Sequence, residues 1–146
     1  MTLVPVPRSA PLPDGALWPA RVIADLLVEG GFGADVLPCL ERVVAVPKSA
    51  SSPASERPLW HRHYETIAAN VDLLQPAQIT LVDDVLTMGR TSYACAQRLH
   101  EAFPNAEIRV FAVIRTQGFI PDVVDIVDPS VGTITGYPSG KTMRDP

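Results

Sequence analysis

The chain has 146 residues, 47% of them hydrophobic and 19% charged, which is enough apolar material for one core and too little chain for two full domains. A formal net charge of -4 argues against a nucleic-acid surface over much of the protein, and no uninterrupted apolar run approaches membrane-spanning length. The first residues hold no basic stretch followed by an apolar one, and Cys39 and Cys95 have neither CxxC nor metal-type spacing, so a cytoplasmic chain with inert, buried thiols and no membrane partner is expected.

The opening TLVPVPR, residues 2–8, reads as a short strand that stops at Pro7 and leads into a loop. ALWPARVIADLLVE, residues 16–29, predicts a helix with Ala20, Ile23, Leu26 and Leu27 on its inner face, Asp14 upstream as a cap and Gly30-Gly31 as the stop. ERVVAVPK, residues 41–48, is β-branched and predicts a strand, and KSASSPASERP, residues 48–58, has the composition of a long loop. LWHRHYETIAANVDLL fits a weak helix or an extended segment equally well. QITLV, residues 78–82, is an apolar strand, and RTSYACAQRLHEAF, residues 90–103, is a helix with Ala96, Leu99 and Phe103 inward. EIRVFAVIR, residues 107–115, is apolar on both sides, as expected of a central strand covered by helices on each face. DVVDIVD, residues 122–128, offers one further strand, and the residues from about 130 to 146 read as a tail. This order predicts a single domain of α/β class: an open, mainly parallel sheet with helices on both faces.

One stretch carries chemistry. In ITLVDDVLTMGRTSYA, residues 79–94, two adjacent carboxylates, Asp83 and Asp84, stand where an apolar strand meets a turn. Like charges in contact repel, so the pair calls for hydrogen-bond donors, a metal or a hydroxylated ligand. The turn that follows, Thr87-Met88-Gly89-Arg90-Thr91, offers amides, two hydroxyls and a glycine, and opens a helix whose N-terminus favours an anion. A phosphate cradle beside two carboxylates suits a ribose 5-phosphate with magnesium relieving the acids. A receiver domain also ends a strand in an acid pair, but it needs a phosphoacceptor Asp further on, and the next strand here ends in AVIRTQG.

The stretch resembles the signature of the type I phosphoribosyltransferases for 5-phospho-α-D-ribose 1-diphosphate (PRPP); Met88 departs from the small residue usual in that family. The resemblance implies that Asp83 and Asp84 bind the ribose 2- and 3-hydroxyls and that Thr87, Met88, Gly89, Arg90 and Thr91 hold the 5-phosphate. VPVPRSAP resembles the corresponding segment of competence-type amidophosphoribosyltransferase-like proteins, which implies Arg8 and Ser9 as pyrophosphate ligands. The polar stretch from Lys48 to Arg62 stands where the family has a flexible loop, with Lys48, Arg57 and Arg62 as the cations that it delivers. An alternative register takes VVAVPKSAS as the pyrophosphate loop and TLVPVP as an accessory strand. His61 and His63 flank Arg62 in a weak metal pattern, for which polar or structural roles are expected.

The family's acceptor-reading hood has almost no counterpart here beyond the tail and the residues around RTQGF. The resemblance thus implies transfer of phosphoribosyl from PRPP-Mg to a small nitrogenous acceptor, with Mg2+ as the only cofactor, no nucleic-acid partner and a homodimer by analogy. It equally accommodates a non-catalytic relative: a PRPP- or nucleotide-sensing regulator, or a competence-type binding module.

Overall fold

The computed structural model describes residues 1–47, 57–71, 75–116 and 128–145. Chain order begins with β1 (Thr2–Pro5), α1 (Pro19–Glu29), β2 (Asp35–Val36) and β3 (Leu40–Arg42). It continues with α2 (Trp60–Glu65), β4 (Ile67–Ala69), β5 (Gln78–Leu86), α3 (Arg90–Ala102), β6 (Glu107–Arg115), β7 (Thr133–Gly136) and β8 (Thr142–Asp145). The main sheet has the order β2-β1-β5-β6 and is parallel throughout. No helix among the described residues is long and apolar enough to cross a membrane.

Alternation along the central strands feeds two apolar layers. Val4, Ile79 and Leu81 face one side and pack with Cys95, Leu99 and Phe103 of α3 and its end, together with Leu40 and Ile67. Leu3 and Val82 face the other side and meet Ala24, Ile23, Leu27 and Val28 of α1. The helices therefore cover opposite faces, as the α/β pattern requires. Cys39 and Cys95 are free and buried, and burial pushes both thiols up, Cys39 to about 11, in keeping with the inert role expected of them.

Several elements differ from the sequence expectations. The first helix begins at Pro19, whose fixed φ suits the first helical position, with Trp18 rather than Asp14 in the capping place and no side-chain cap. Leu26, expected on the inner face, is 60% exposed, and the buried positions of the helix are Ala20 and Ala24. The strand expected at residues 41–48 is reduced to β3, which leaves the main sheet and pairs antiparallel with β4; Val43 and Val44 are exposed. TLVPVP is not accessory: β1 lies in the middle of the sheet, between β2 and β5.

The undecided stretch at 59–74 divides into α2 and β4, with residues 72–74 outside the described part. Strand β5 runs on through the acid pair to Leu86, while β6 lies at the edge of the described sheet and exposes Phe111, Val113 and Ile114. The strand expected at 122–128 falls outside the described residues except for Asp128, which lies in no regular element. The expected tail is instead an antiparallel hairpin, β7–β8, packed beside α3.

Candidate functional site

From β1 the chain crosses to β2 on one side, and from β5 it crosses to β6 on the other. The loops that leave the carboxyl ends of β1 and β5 therefore diverge, which opens a crevice at the point where the winding reverses. A cavity of about 510 Å3 lies there. Its walls include Val6 to Ser9 after β1, Leu17 to Ala20 at the start of α1, and the run from Asp83 to Ser92 apart from Met88. Arg42, Pro47 and His63 complete it.

Two separately read stretches thus meet: the acid pair with its Thr-Gly turn, and the Arg8–Ser9 loop. Asp83 is half-buried and Asp84 exposed. The Asp84 amide donates to Asp83 Oδ1 at 3.0 Å, and the Val85 amide to Asp84 Oδ1 at 2.9 Å. Ser92 Oγ reaches Asp83 Oδ2 at 3.4 Å. Burial, with the neighbouring Asp84 carboxyl adding to it, pushes Asp83 up to about 7. The free site therefore carries less negative charge at neutral pH than two ionised acids would.

Gly89 caps α3 with φ +74, a left-handed conformation that glycine adopts without penalty. The first amides of α3 have no intrahelical acceptor and lie at the cavity wall formed by Gly89 to Ser92. The space where a Gly89 side chain would stand belongs to the hairpin: a Cβ there would lie 2.9 Å from Ile134 Cγ2. Met88 does not line the cavity; its carbonyl accepts from Thr142 Oγ1 at 2.6 Å.

The expected cations are distributed unevenly. Arg8 lines the cavity, and its Nη1 donates to the Leu17 carbonyl at 3.1 Å. Arg90 also lines it, but Nη1 is spent on the carbonyls of Arg57 and Pro58, at 2.9 and 3.2 Å, while the buried Nε has no partner among the described residues. Arg57 and Arg62 do not line the cavity. Arg62 sits on α2 in an ion pair with Glu65 at 3.7 Å, so the end of the expected flexible loop is helical. Lys48 and residues 49–56 lie outside the described residues.

Sequence reasoning passed over several residues that shape this place. Trp18 forms a wall and donates Nε1–H to the Val6 carbonyl at 2.8 Å, fixing the loop after β1. Arg42 is 2% exposed and bridges three segments: Nε donates to the Arg8 carbonyl at 3.0 Å, Nη1 to Thr66 Oγ1 at 2.6 Å and to the His63 carbonyl at 3.3 Å. Its Nη2 lies 3.4 Å from His63 Nδ1. His63 is also 2% exposed, and burial with the nearby Arg42 and Arg90 charges pushes its pKa down to about 4, so the ring is neutral at pH 7. Of the HxH pair, only His63 reaches the cavity.

The hairpin was the other omission. Arg144 Nη1 donates to the Leu86 carbonyl at 3.0 Å, and Nη2 to the Thr116 carbonyl. Trp60 binds the Tyr137 carbonyl through Nε1 and the Gly140 carbonyl through its amide, each at 2.9 Å. A β-branched T-I-T run before a Gly-Tyr-Pro-Ser-Gly turn was the available signal. No protein-family model, no curated protein and no solved structure matches this chain.

Proposed function

We propose that the chain is a type I phosphoribosyltransferase-like protein with a reduced hood, and that its cavity binds PRPP-Mg and transfers the phosphoribosyl group to a nitrogen acceptor. The observation that carries this reading is the convergence of Asp83 and Asp84, the Thr87–Thr91 turn and the Arg8–Ser9 loop around one cavity of about 510 Å3. Asp83 and Asp84 would bind the ribose hydroxyls. The amides of the turn and the N-terminus of α3 would hold the 5-phosphate, and Arg8 and Ser9 the diphosphate. In the transfer, the C1–O bond to diphosphate breaks with its electron pair leaving on pyrophosphate. The acceptor nitrogen then forms the new bond to C1 and gives up its proton to solvent. The protein positions the partners and stabilises the leaving charge; no protein nucleophile takes part.

Magnesium fits this donor set in a specific way. Among the described residues no group of three His, Cys, Asp or Glu could hold a metal. Two adjacent carboxylates that face a phosphate-binding turn suit an ion that arrives with phosphate oxygens and keeps several waters. Bound there, magnesium would neutralise diphosphate charge.

A second reading, binding without turnover as in a PRPP- or nucleotide-sensing module, is favoured by Arg57 and Arg62, neither of which lines the cavity. A pyrophosphate-release assay with PRPP-Mg and a panel of nitrogenous bases and amines separates the two. Release with any acceptor supports transfer, and binding without release in every case supports the module. The Asp83→Asn/Asp84→Asn double variant is expected to lose PRPP-Mg binding in calorimetry with its fold intact. Unchanged affinity would remove the assignment of the acid pair.

A further inference from the structure

Arginine is almost never fully buried without a carboxylate partner, because an uncompensated charge in a low dielectric costs several kcal/mol. Arg42 is an exception. Its acceptors among the described residues are all neutral: two backbone carbonyls, one hydroxyl and an imidazole nitrogen. Among the described residues it makes no ion pair.

The neighbouring histidine carries the same message. A guanidinium only donates, so the His63 Nδ1 beside Arg42 Nη2 must accept, which places the ring proton on Nε2. Nε2 is buried and has no partner among the described residues, and neither has Arg90 Nε. The wall shared by Arg42, His63 and Arg90 therefore holds two guanidinium charges without an ion pair and two buried N–H donors without an acceptor among the described residues. A group made only of acceptors and carrying negative charge complements it. Thr91 Oγ1, at 3.5 Å from His63 Nδ1, joins this wall to the phosphate turn, and the Arg8 carbonyl joins it to the loop after β1.

We infer that Arg42, held by His63, is a specificity-determining residue: its buried charge beneath the Arg8–Ser9 loop selects ligands that carry a second phosphoryl anion there, a diphosphate, in addition to the one at the turn. Arg42 acts through the field it places in the cavity and through the Arg8 carbonyl that it fixes. This inference rests on the ligand orientation proposed above, and inorganic pyrophosphate tests it without the ribose.

The experiment compares Mg-pyrophosphate, ribose 5-phosphate and PRPP-Mg by calorimetry on the parent, Arg42→Met and Arg42→Lys. Arg42→Met keeps the bulk and removes the charge. It is expected to weaken Mg-pyrophosphate and PRPP-Mg about tenfold or more and ribose 5-phosphate less than about threefold, with Arg42→Lys recovering much of the loss. A residue that only supports the fold would weaken all three ligands alike, and equal losses would overturn the inference. So would Arg42→Lys behaving as Arg42→Met. Should Arg42→Met not fold, the Arg42 Nε–H resonance of the parent decides: a shift on adding Mg-pyrophosphate but not on adding ribose 5-phosphate supports the assignment, and no shift with pyrophosphate overturns it. If the parent binds neither PRPP nor ribose 5-phosphate, the proposed function fails, while the dependence of pyrophosphate binding on Arg42 still decides this inference.

Discussion

Replacing Asp83 with Asn removes a charge that the fold itself disfavours, and the consequence is a stability difference that depends on pH. Burial and the adjacent Asp84 raise Asp83 to about 7, against an ordinary value near 4 in the unfolded chain. The native state therefore holds a proton that the unfolded chain has already lost, so this group's contribution is fully present below about pH 4 and is lost as pH rises to about 7. Three units at about 1.4 kcal/mol each set a ceiling of about 4 kcal/mol. Because Asp83 faces an open cavity, water screens part of that, and about 1–2 kcal/mol is the expected size. For a chain of this length that corresponds to roughly 3–6 °C in melting temperature. His63, pushed down to about 4, makes the opposite contribution, losing stability as pH falls below about 6.5, but it is common to parent and variant and cancels in their difference. Thermal unfolding followed by circular dichroism should thus show little difference between Asp83→Asn and the parent at pH 4, and a more stable variant at pH 8. The same difference at both pH values would refute the reasoning, since it would mean that the site does not penalise the charge.

Two further outcomes follow from the turn. Gly89→Ala combines a positive φ with a Cβ that presses on Ile134, and should cost about 1–2 kcal/mol in denaturant unfolding; Ile134→Ala on the same background should return only the steric share, and full recovery would count against the backbone part. Thr142→Val leaves the Met88 carbonyl without its donor and should cost about 1–3 kcal/mol and weaken ribose 5-phosphate, with Thr142→Ser close to the parent; a Ser variant as impaired as Val would exclude the hydroxyl as the cause.

What could be read in the sequence was what lies close together along it. The unit from β5 through the turn into α3 is contiguous, its apolar strand, acids, glycine and helical period follow without interruption, and it folds as a strand, turn and helix, with the strand carried on through the acids to Leu86. The placement of β6 could not be read the same way. EIRVFAVIR has apolar residues on both sides, but whether a strand is central depends on which neighbours arrive, and here Phe111 and Val113 are exposed at the edge of the described sheet. The pairing of β3 with β4 joins residues 40–42 to 67–69, a separation that no local pattern encodes. Arg42 stands at the head of a β-branched run, where a charged residue ordinarily marks a strand end near solvent. Its burial is a tertiary result of the Arg8 carbonyl, Thr66 and His63 closing around it.

The hairpin bears on the phosphate role proposed for the turn at residues 87–91. A turn has as many carbonyls as amides, and carbonyls directed into the cavity would repel a phosphate. Here the Met88 carbonyl is claimed from outside by Thr142, and the carbonyl of Leu86, the last residue of β5 just before the turn, by Arg144 and the Thr116 amide. Gly89, in its left-handed conformation, lets the chain reverse between that outer contact and the start of α3, and Ile134 fills the space that a side chain would need. The same hairpin holds Trp60 at the beginning of α2, the helix that carries His63 to the cavity. One C-terminal element thus touches both the turn and the helix that carries the wall beside it, so that a loss of Thr142 or Arg144 is expected to reach a ligand bound as proposed through the backbone dipoles, without either side chain lining the cavity.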